Sequence, residues 1–306
     1  MKNGLLLCLI FILFHASCQK TPPIIEPENI TEDCVPLGNG WREWPGYIYG
    51  LHKPSFNPNN PDEFICIEQK AGLRLIKYNL KTKERKVVTD GRISMSAGVT
   101  GIPDWGVNDW ILFEITREGM FKIKSNGDSL TRLTTRKWWY YYSWNPDGKY
   151  YIHDGIICNA QNEAIDTIEF RGGNWKYHPT LMIRNAGGLQ IYDLELEKYT
   201  KTFPSPDSTG ATTWMPIWLK DGKRIVWTTA LGIYLTDTET AITTLIRSSC
   251  DGKVYHYCTY SPQSHKLLFS RTDCKRVNNI YITCVSRLFM INPDGSGEEE
   301  ILIPFP

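Results

Sequence analysis

Along most of the chain, short runs in which apolar and polar residues alternate are cut by turn residues, the pattern of antiparallel strands. One stretch shows the unit. Trp144-Asn145-Pro146-Asp147-Gly148-Lys149 is followed at once by Tyr150-Tyr151-Ile152, giving an aromatic to bury, a Pro-Asp-Gly reversal and a strand leaving the turn. Aromatic anchors recur at Phe56, Trp105, Trp144, Tyr177, Trp218 and Tyr260, four of them with proline two residues on, at steps of 49, 39, 33, 41 and 42 residues. A period of about forty is the length of a four-stranded propeller blade. A second strand follows each anchor, as at Phe64 to Ile67 and Ile225 to Trp227. A third, often opened by glycine, and a shorter polar fourth complete the unit. The pattern predicts an all-β chain, a six-bladed β-propeller of four-stranded antiparallel blades over residues 41–306. A β-sandwich would share the alternation but has no need of the period. The last unit supplies its own fourth strand at Ile301 to Ile303, which leaves Thr31 to Tyr49 as the candidate for an extra strand across the seam.

Three stretches carry a family resemblance: Trp144 to Lys149, Trp218-Leu219-Lys220-Asp221-Gly222-Lys223, and Leu288 to Gly297 with its Asn-Pro-Asp-Gly-Ser-Gly. They resemble the TolB-like β-propeller repeat, most closely in the third and fifth units and in the second half of the sixth. The resemblance implies a six-bladed propeller and points to envelope partners. TolB itself has a further domain before its propeller for which this chain has no room.

The first residues follow another logic. Lys2 and the apolar stretch Leu5 to Phe14 make a targeting segment too short to span a bilayer. His15-Ala16-Ser17-Cys18 resembles the looser lipobox of Bacteroidota lipoproteins, in which the cysteine becomes the lipidated first residue. Residues 1–17 are therefore expected to be a signal peptide and 18–40 a lipid anchor with a proline-rich tether. Thr21 to Asn29, with three prolines, reads as extended, unpaired chain. Gln19-Lys20 is neither the inner-membrane aspartate nor the acidic export cluster of such lipoproteins. The implied address is the periplasmic face of the outer membrane, with the membrane met only through the lipid.

Composition narrows the chemistry. A net charge of +1 over 306 residues gives no footprint for nucleic acid. Seven cysteines follow Cys18, and in an oxidising compartment Cys250 with Cys258 and Cys274 with Cys284 are the candidate disulfides, each pair close in sequence. Cys66 and Cys158 lie in apolar runs as small hydrophobes. No Cys-x-x-Cys occurs and the histidines are scattered, with none at zinc spacing from a cysteine pair, so no metal and no cofactor are expected. His178 and His256, each near the start of a unit, are the two that a channel metal would use. Gly127-Asp128-Ser129-Leu130 spells an esterase signature, but it falls where other units place the turn between third and fourth strands. The Asp-Gly pairs at 147, 221, 251 and 294 read as tight turns, lacking the carboxylate spacing of a calcium loop.

No catalytic residue is expected. Lys137-Trp138-Trp139-Tyr140-Tyr141-Tyr142 precedes the third anchor, and Trp175, Trp214 and Tyr255 occupy similar connections. Trp138, Trp139, Tyr141, Trp175, Trp214, Tyr255 and His256 are the candidate ligand-binding residues, lining a funnel on the face where outer strands hand over to inner ones. The connection Arg271 to Ser286, with Lys275, Arg276 and Tyr281 between two cysteines, reads as an enlarged, stapled loop on that face. The function expected is a non-catalytic binding module for an envelope protein, peptide or glycan. A channel-mouth polysaccharide lyase or glycosidase and a structural subunit of an envelope complex are the alternatives.

Overall fold

A computed structural model describes residues 24–25, 48–69, 73–89, 101–115, 117–135, 141–169, 173–206, 214–229, 231–250, 253–277 and 280–303. Every element among them is a β-strand, and the strands run as successive antiparallel meanders. After β1 (Ile24–Ile25), the first unit is β2 (Ile48–Phe56), β3 (Glu63–Gln69), β4 (Leu73–Asn79) and β5 (Arg85–Thr89). The second is β6 (Asp104–Trp105), β7 (Trp110–Ile115), β8 (Gly119–Lys124) and β9 (Thr131–Arg132). The third is β10 (Tyr142–Trp144), β11 (Tyr150–His153), β12 (Ile156–Asn159) and β13 (Ala164–Thr167). The fourth has β14 (Leu181–Asn185), β15 (Gly188–Asp193) and β16 (Lys198–Pro204), and the fifth β17 (Trp214–Trp218), β18 (Arg224–Thr229), β19 (Gly232–Asp237) and β20 (Thr243–Ser248). The last is β21 (Lys253–Ser261), β22 (Lys266–Val277), β23 (Ile280–Ile291) and β24 (Glu299–Ile301).

The anchors end the inner strands as their spacing requires. Phe56, Trp105, Trp144 and Trp218 have no exposure and Tyr260 almost none, because a flat ring at the end of each inner strand fills the wedge between neighbouring sheets. Among the described residues, six hydrophobic clusters lie one at each junction, and each joins two consecutive units. The sixth cluster joins the last unit to the first, with Leu268 and Leu288 packed against Phe56, Phe64 and Tyr78. The inner strands β2, β6 and β10, and likewise β17 and β21, contact in succession, and β21 contacts β2. The fold is a β-propeller with four-stranded blades.

Four local findings differ from the sequence reading. The fourth unit has three strands and only an isolated bridge, Asn174 to Ile183, in the inner position. There Tyr177 takes φ +71°, and His178 Nδ1 accepts the amides of Thr180 and Leu181, so the chain turns where a strand would continue. Arg271 to Ser286 is no loop. It is the far end of the β22–β23 ladder, paired from Arg271↔Arg287 to Val277↔Ile280, and its β-branched run Ile280 to Val285 favours that extension. Ile24–Ile25, expected to be unpaired tether, joins the outer edge of the fifth unit parallel to β20, with Ile24 opposite Thr243. Fourth, Cys258 is a free thiol inside β21, buried between the fifth and sixth units, so the Cys250–Cys258 pairing does not form. Cys250 and Cys284 are disulfide-bonded, and Cys284 stands opposite Cys274 across the ladder.

Of the expected seam strand, Ile48 and Tyr49 with Gly50 pair parallel to Cys284–Ser286 of β23, so first and last units share one eight-stranded sheet. The rest of that stretch lies outside the described residues. Gly127 to Leu130 is the β8–β9 turn, closed by the Gly127 amide on the Lys124 carbonyl and the Lys124 amide on that of Asp128.

Candidate functional site

In an inner strand the side chains alternate, so a residue next to a core-facing anchor faces the other way. The positions before the anchors are Ser55, Asp104, Ser143, Lys176, Ile217 and Thr259; Ile217 packs in the core between the fifth and sixth units, whereas Ser55, Asp104, Ser143 and Lys176 link one unit to another. Ser55 Oγ accepts the Trp105 amide at 3.3 Å, Asp104 Oδ2 the Trp144 amide at 2.7 Å, and Ser143 Oγ the Trp175 amide at 3.1 Å. Lys176 then reaches from the fourth unit to the second, its Nζ 2.8 Å from Asp104 Oδ1 and 3.4 Å from Ser55 Oγ. Both charged side chains are almost wholly buried, at 6% and 7% exposure. A buried lysine and a buried carboxylate persist together because each neutralises the other and the remaining lone pairs are bonded. The pair bridges the channel at this level.

Beyond the pair, at the end where the anchor turns converge, a cavity of about 250 Å³ opens. Every unit contributes to its wall: Pro58, Val107, Asn145, Tyr177, Lys220 and Gln263. Tyr177 donates its hydroxyl to the Tyr260 carbonyl at 2.9 Å, and Gln263 Nε2 donates to the Pro58 carbonyl, which fixes the rim between last and first units. Val107, Lys220 and Gln263 are exposed, so the wall is rigid below and offers changeable side chains above.

The opposite end carries a different set. β2 and β21 both bulge at the same level, with register shifts at His52/Ser55 and His256/Thr259 and positive φ at Lys53 (55°) and Tyr257 (51°). The Lys53 amide bonds Ser270 Oγ and its Nζ stands 5.2 Å over the Tyr257 ring. Burial brings the Lys53 ammonium down to about 8 against an opposing pull from the Glu114 carboxylate. Burial, with the Lys53 charge beside it, brings His256 down to about 3. His52 is held well below its ordinary range by burial, Lys53 and His256 in that order. Burial pushes the Tyr142 hydroxyl well up, helped by Glu114 and Asp104. Two neutral imidazoles thus flank one ammonium.

The expected aromatic funnel is not assembled from all its parts. Trp175 is buried between the third and fourth units, its Nε1 on the Pro179 carbonyl at 3.2 Å. Tyr255 is buried between the fifth and sixth, edge-on to Phe269. Trp175, beside the isolated Asn174–Ile183 bridge, and Tyr255, on β21, both point at a neighbouring sheet, so neither can stack on a ligand. Tyr141 is 53% exposed at the entry to β10, and His256 is buried beside Lys53. Trp138, Trp139 and the Trp214 side chain lie outside the described residues. His178 is engaged structurally, its ring 5.0 Å from that of Trp218. Among the described residues no three His, Cys, Asp or Glu side chains group as a metal would need. Sequence reasoning missed Lys53, Asp104, Lys176, Lys220 and Gln263. The position before each anchor was the signal for two of them.

No family profile matches the sequence and no curated protein is significantly similar to it. Solved structures do match. A chain of the mitotic checkpoint complex aligns over 98% of this chain and 89% of its own, with TM-score 0.52 and 12% identity. TolB from Acinetobacter baumannii aligns over 82% of this chain at 15% identity and TM-score 0.41, and the chain spans about half (53%) of that protein. The C-terminal WD40 domain of Sif2 is covered in full, by 81% of this chain, at 10% identity and TM-score 0.45. At such identities the likeness is one of fold.

Proposed function

We propose that the chain is a non-catalytic binding module of a bacterial cell envelope, of the Bacteroidota type. It is a six-bladed, TolB-like propeller, lipidated at Cys18 and held at the periplasmic face of the outer membrane. Its partner is an envelope protein or peptide, with a glycan as the other ligand of the same mouth. One observation carries the reading: a concave site of about 250 Å³ to which all six units contribute a wall residue. Such convergence at a channel mouth is where a propeller has most to offer a large ligand. The buried carboxylate of Asp104 is occupied by Lys176 and the Trp144 amide, which favours binding over acid–base chemistry there. The fold shared with a chain of a multiprotein complex agrees with a protein partner.

The reading also moves the contact from the loop-bearing face to the turn-bearing one. A photo-crosslinking residue at Val107 should trap a defined envelope partner, the same residue at Tyr141 should not, and Lys220→Glu should abolish the adduct. Crosslinks from Tyr141 alone would overturn the choice of mouth. Crosslinks from neither position in intact envelopes would overturn the protein-partner reading.

A further inference from the structure

The pairing of Ile24–Ile25 with β20 bears on where the membrane lies, and it rests on the reading of Cys18 as the lipidated residue. Only five residues, Gln19 to Pro23, separate Cys18 from Ile24. Fully extended, that connection reaches about 20 Å. A tether free as far as β2, which begins at Ile48, would reach about 100 Å by the same rule. The strand pairing therefore replaces a long leash by a short one.

Its direction is fixed too. β1 runs parallel to β20 with Ile24 opposite Thr243, the first residue of that strand, so the chain arrives at the end where β20 starts. The turn before β20 lies beside the anchor turn of the same unit. The Thr238 amide bonds the Lys223 carbonyl at 2.8 Å, and Lys223 Nζ meets Glu239 at 2.9 Å. That is the turn-bearing end of the ring, the end with the cavity. We propose that the propeller is strapped to the bilayer by the outer edge of its fifth unit, turn-bearing end toward the lipid, with the second unit across the ring held farthest away. The site then works close to the membrane surface, and the loop-bearing face is turned toward the compartment.

The test uses the full lipidated protein in vesicles containing a brominated phospholipid. A fluorophore is placed at Glu239→Cys in the fifth unit or at Leu130→Cys in the corresponding turn of the second; both positions are exposed, and the described free thiols are buried. Lipid should quench the label at 239 and leave that at 130 bright. Ile24→Pro with Ile25→Pro, which deletes two strand amides, should abolish the quenching at 239, while the acyl mass on Cys18, vesicle association and the far-UV spectrum stay unchanged. Equal quenching at both sites, or quenching at 239 that survives the prolines, overturns the strap and leaves the lipid anchor standing. Absence of acyl mass on Cys18 with no vesicle association overturns the anchor, and the strap with it.

Discussion

Asp104 and Lys176 are separated by 72 residues and two units, yet they hold each other at 2.8 Å inside the channel. Desolvating two charges is offset only when both are present, so removing one leaves the other buried and uncompensated. Asp104→Ala also strips the Trp144 amide of its acceptor. We expect a loss of about 3–5 kcal/mol, read as a lowered unfolding midpoint in denaturant. Adding Lys176→Met should recover a large part, because the stranded charge is gone. If the double variant is as weak as the sum of the single ones, the pair does not act as a unit of stability. This part of the site was barely legible beforehand. Strand parity marks the position before each anchor, but Ser, Asp, Ser, Lys, Ile and Thr form no motif, and nothing in one dimension says that the fourth unit faces the second.

At the scale of the element, the seam depends on one close approach. Gly50 pairs parallel with Ser286 at φ +111°, and a side chain there would collide with the Ser286 carbonyl oxygen. Gly187, in the β14–β15 turn, has φ +75° and nothing within 4 Å of where a Cβ would stand. Gly187→Ala should therefore carry only the strain of a left-handed residue, about 1–2 kcal/mol. Gly50→Ala adds a backbone clash and should cost clearly more, with faster amide exchange in Ile48–Gly50 and Cys284–Ser286. Equal effects of the two substitutions would mean that the seam pairing contributes nothing. The blades themselves were legible, since Trp144-Asn145-Pro146-Asp147-Gly148 writes a buried ring and a reversal in adjacent residues. The seam was legible only in part: Ile48 and Tyr49 close the stretch expected across it, but their partner lies more than two hundred residues away and the close approach is marked only by a glycine. Trp175 and Tyr255 misled for a related reason: an aromatic near a connection looks the same in sequence whether parity points it to solvent or to the next blade. The Arg271 to Ser286 insertion misled because two cysteines suggested a staple around a loop, whereas the β-branched residues between them were extending a ladder.

For the whole molecule, closure makes local charges a global matter. The last unit is hydrogen-bonded to the first through β23 and β2 and packed on it through Phe56, Phe64, Leu268 and Leu288. His52 and His256 sit on the two inner strands that meet there, one in the first unit and one in the sixth. His256 is held at about 3 in the folded chain, against an ordinary value of 6.5, by burial and by Lys53. Between those values the unfolded chain binds a proton that the folded chain does not. Its contribution to stability is thus complete above about 6.5 and falls as pH falls toward 3, by at most about 1.4 kcal/mol per pH unit. His52 is displaced in the same direction and adds to the slope. Lys53, lowered from 10.5 to about 8, acts in another window: there the unfolded chain again holds the extra proton, so stability rises from pH 8 to 10.5. Ordinary carboxylates are still ionised at pH 5, so the interval from pH 7 to 5 isolates the histidines. Thermal melts should show the transition moving down across that interval as one cooperative step, because a closed ring has no free end from which to unfold. A variant carrying His52→Asn and His256→Gln should show a clearly smaller shift over the same interval, the remainder belonging to His178, which burial also lowers against the pull of Asp193. A wild-type midpoint that does not move there would mean that the two imidazoles become protonated without opening the seam.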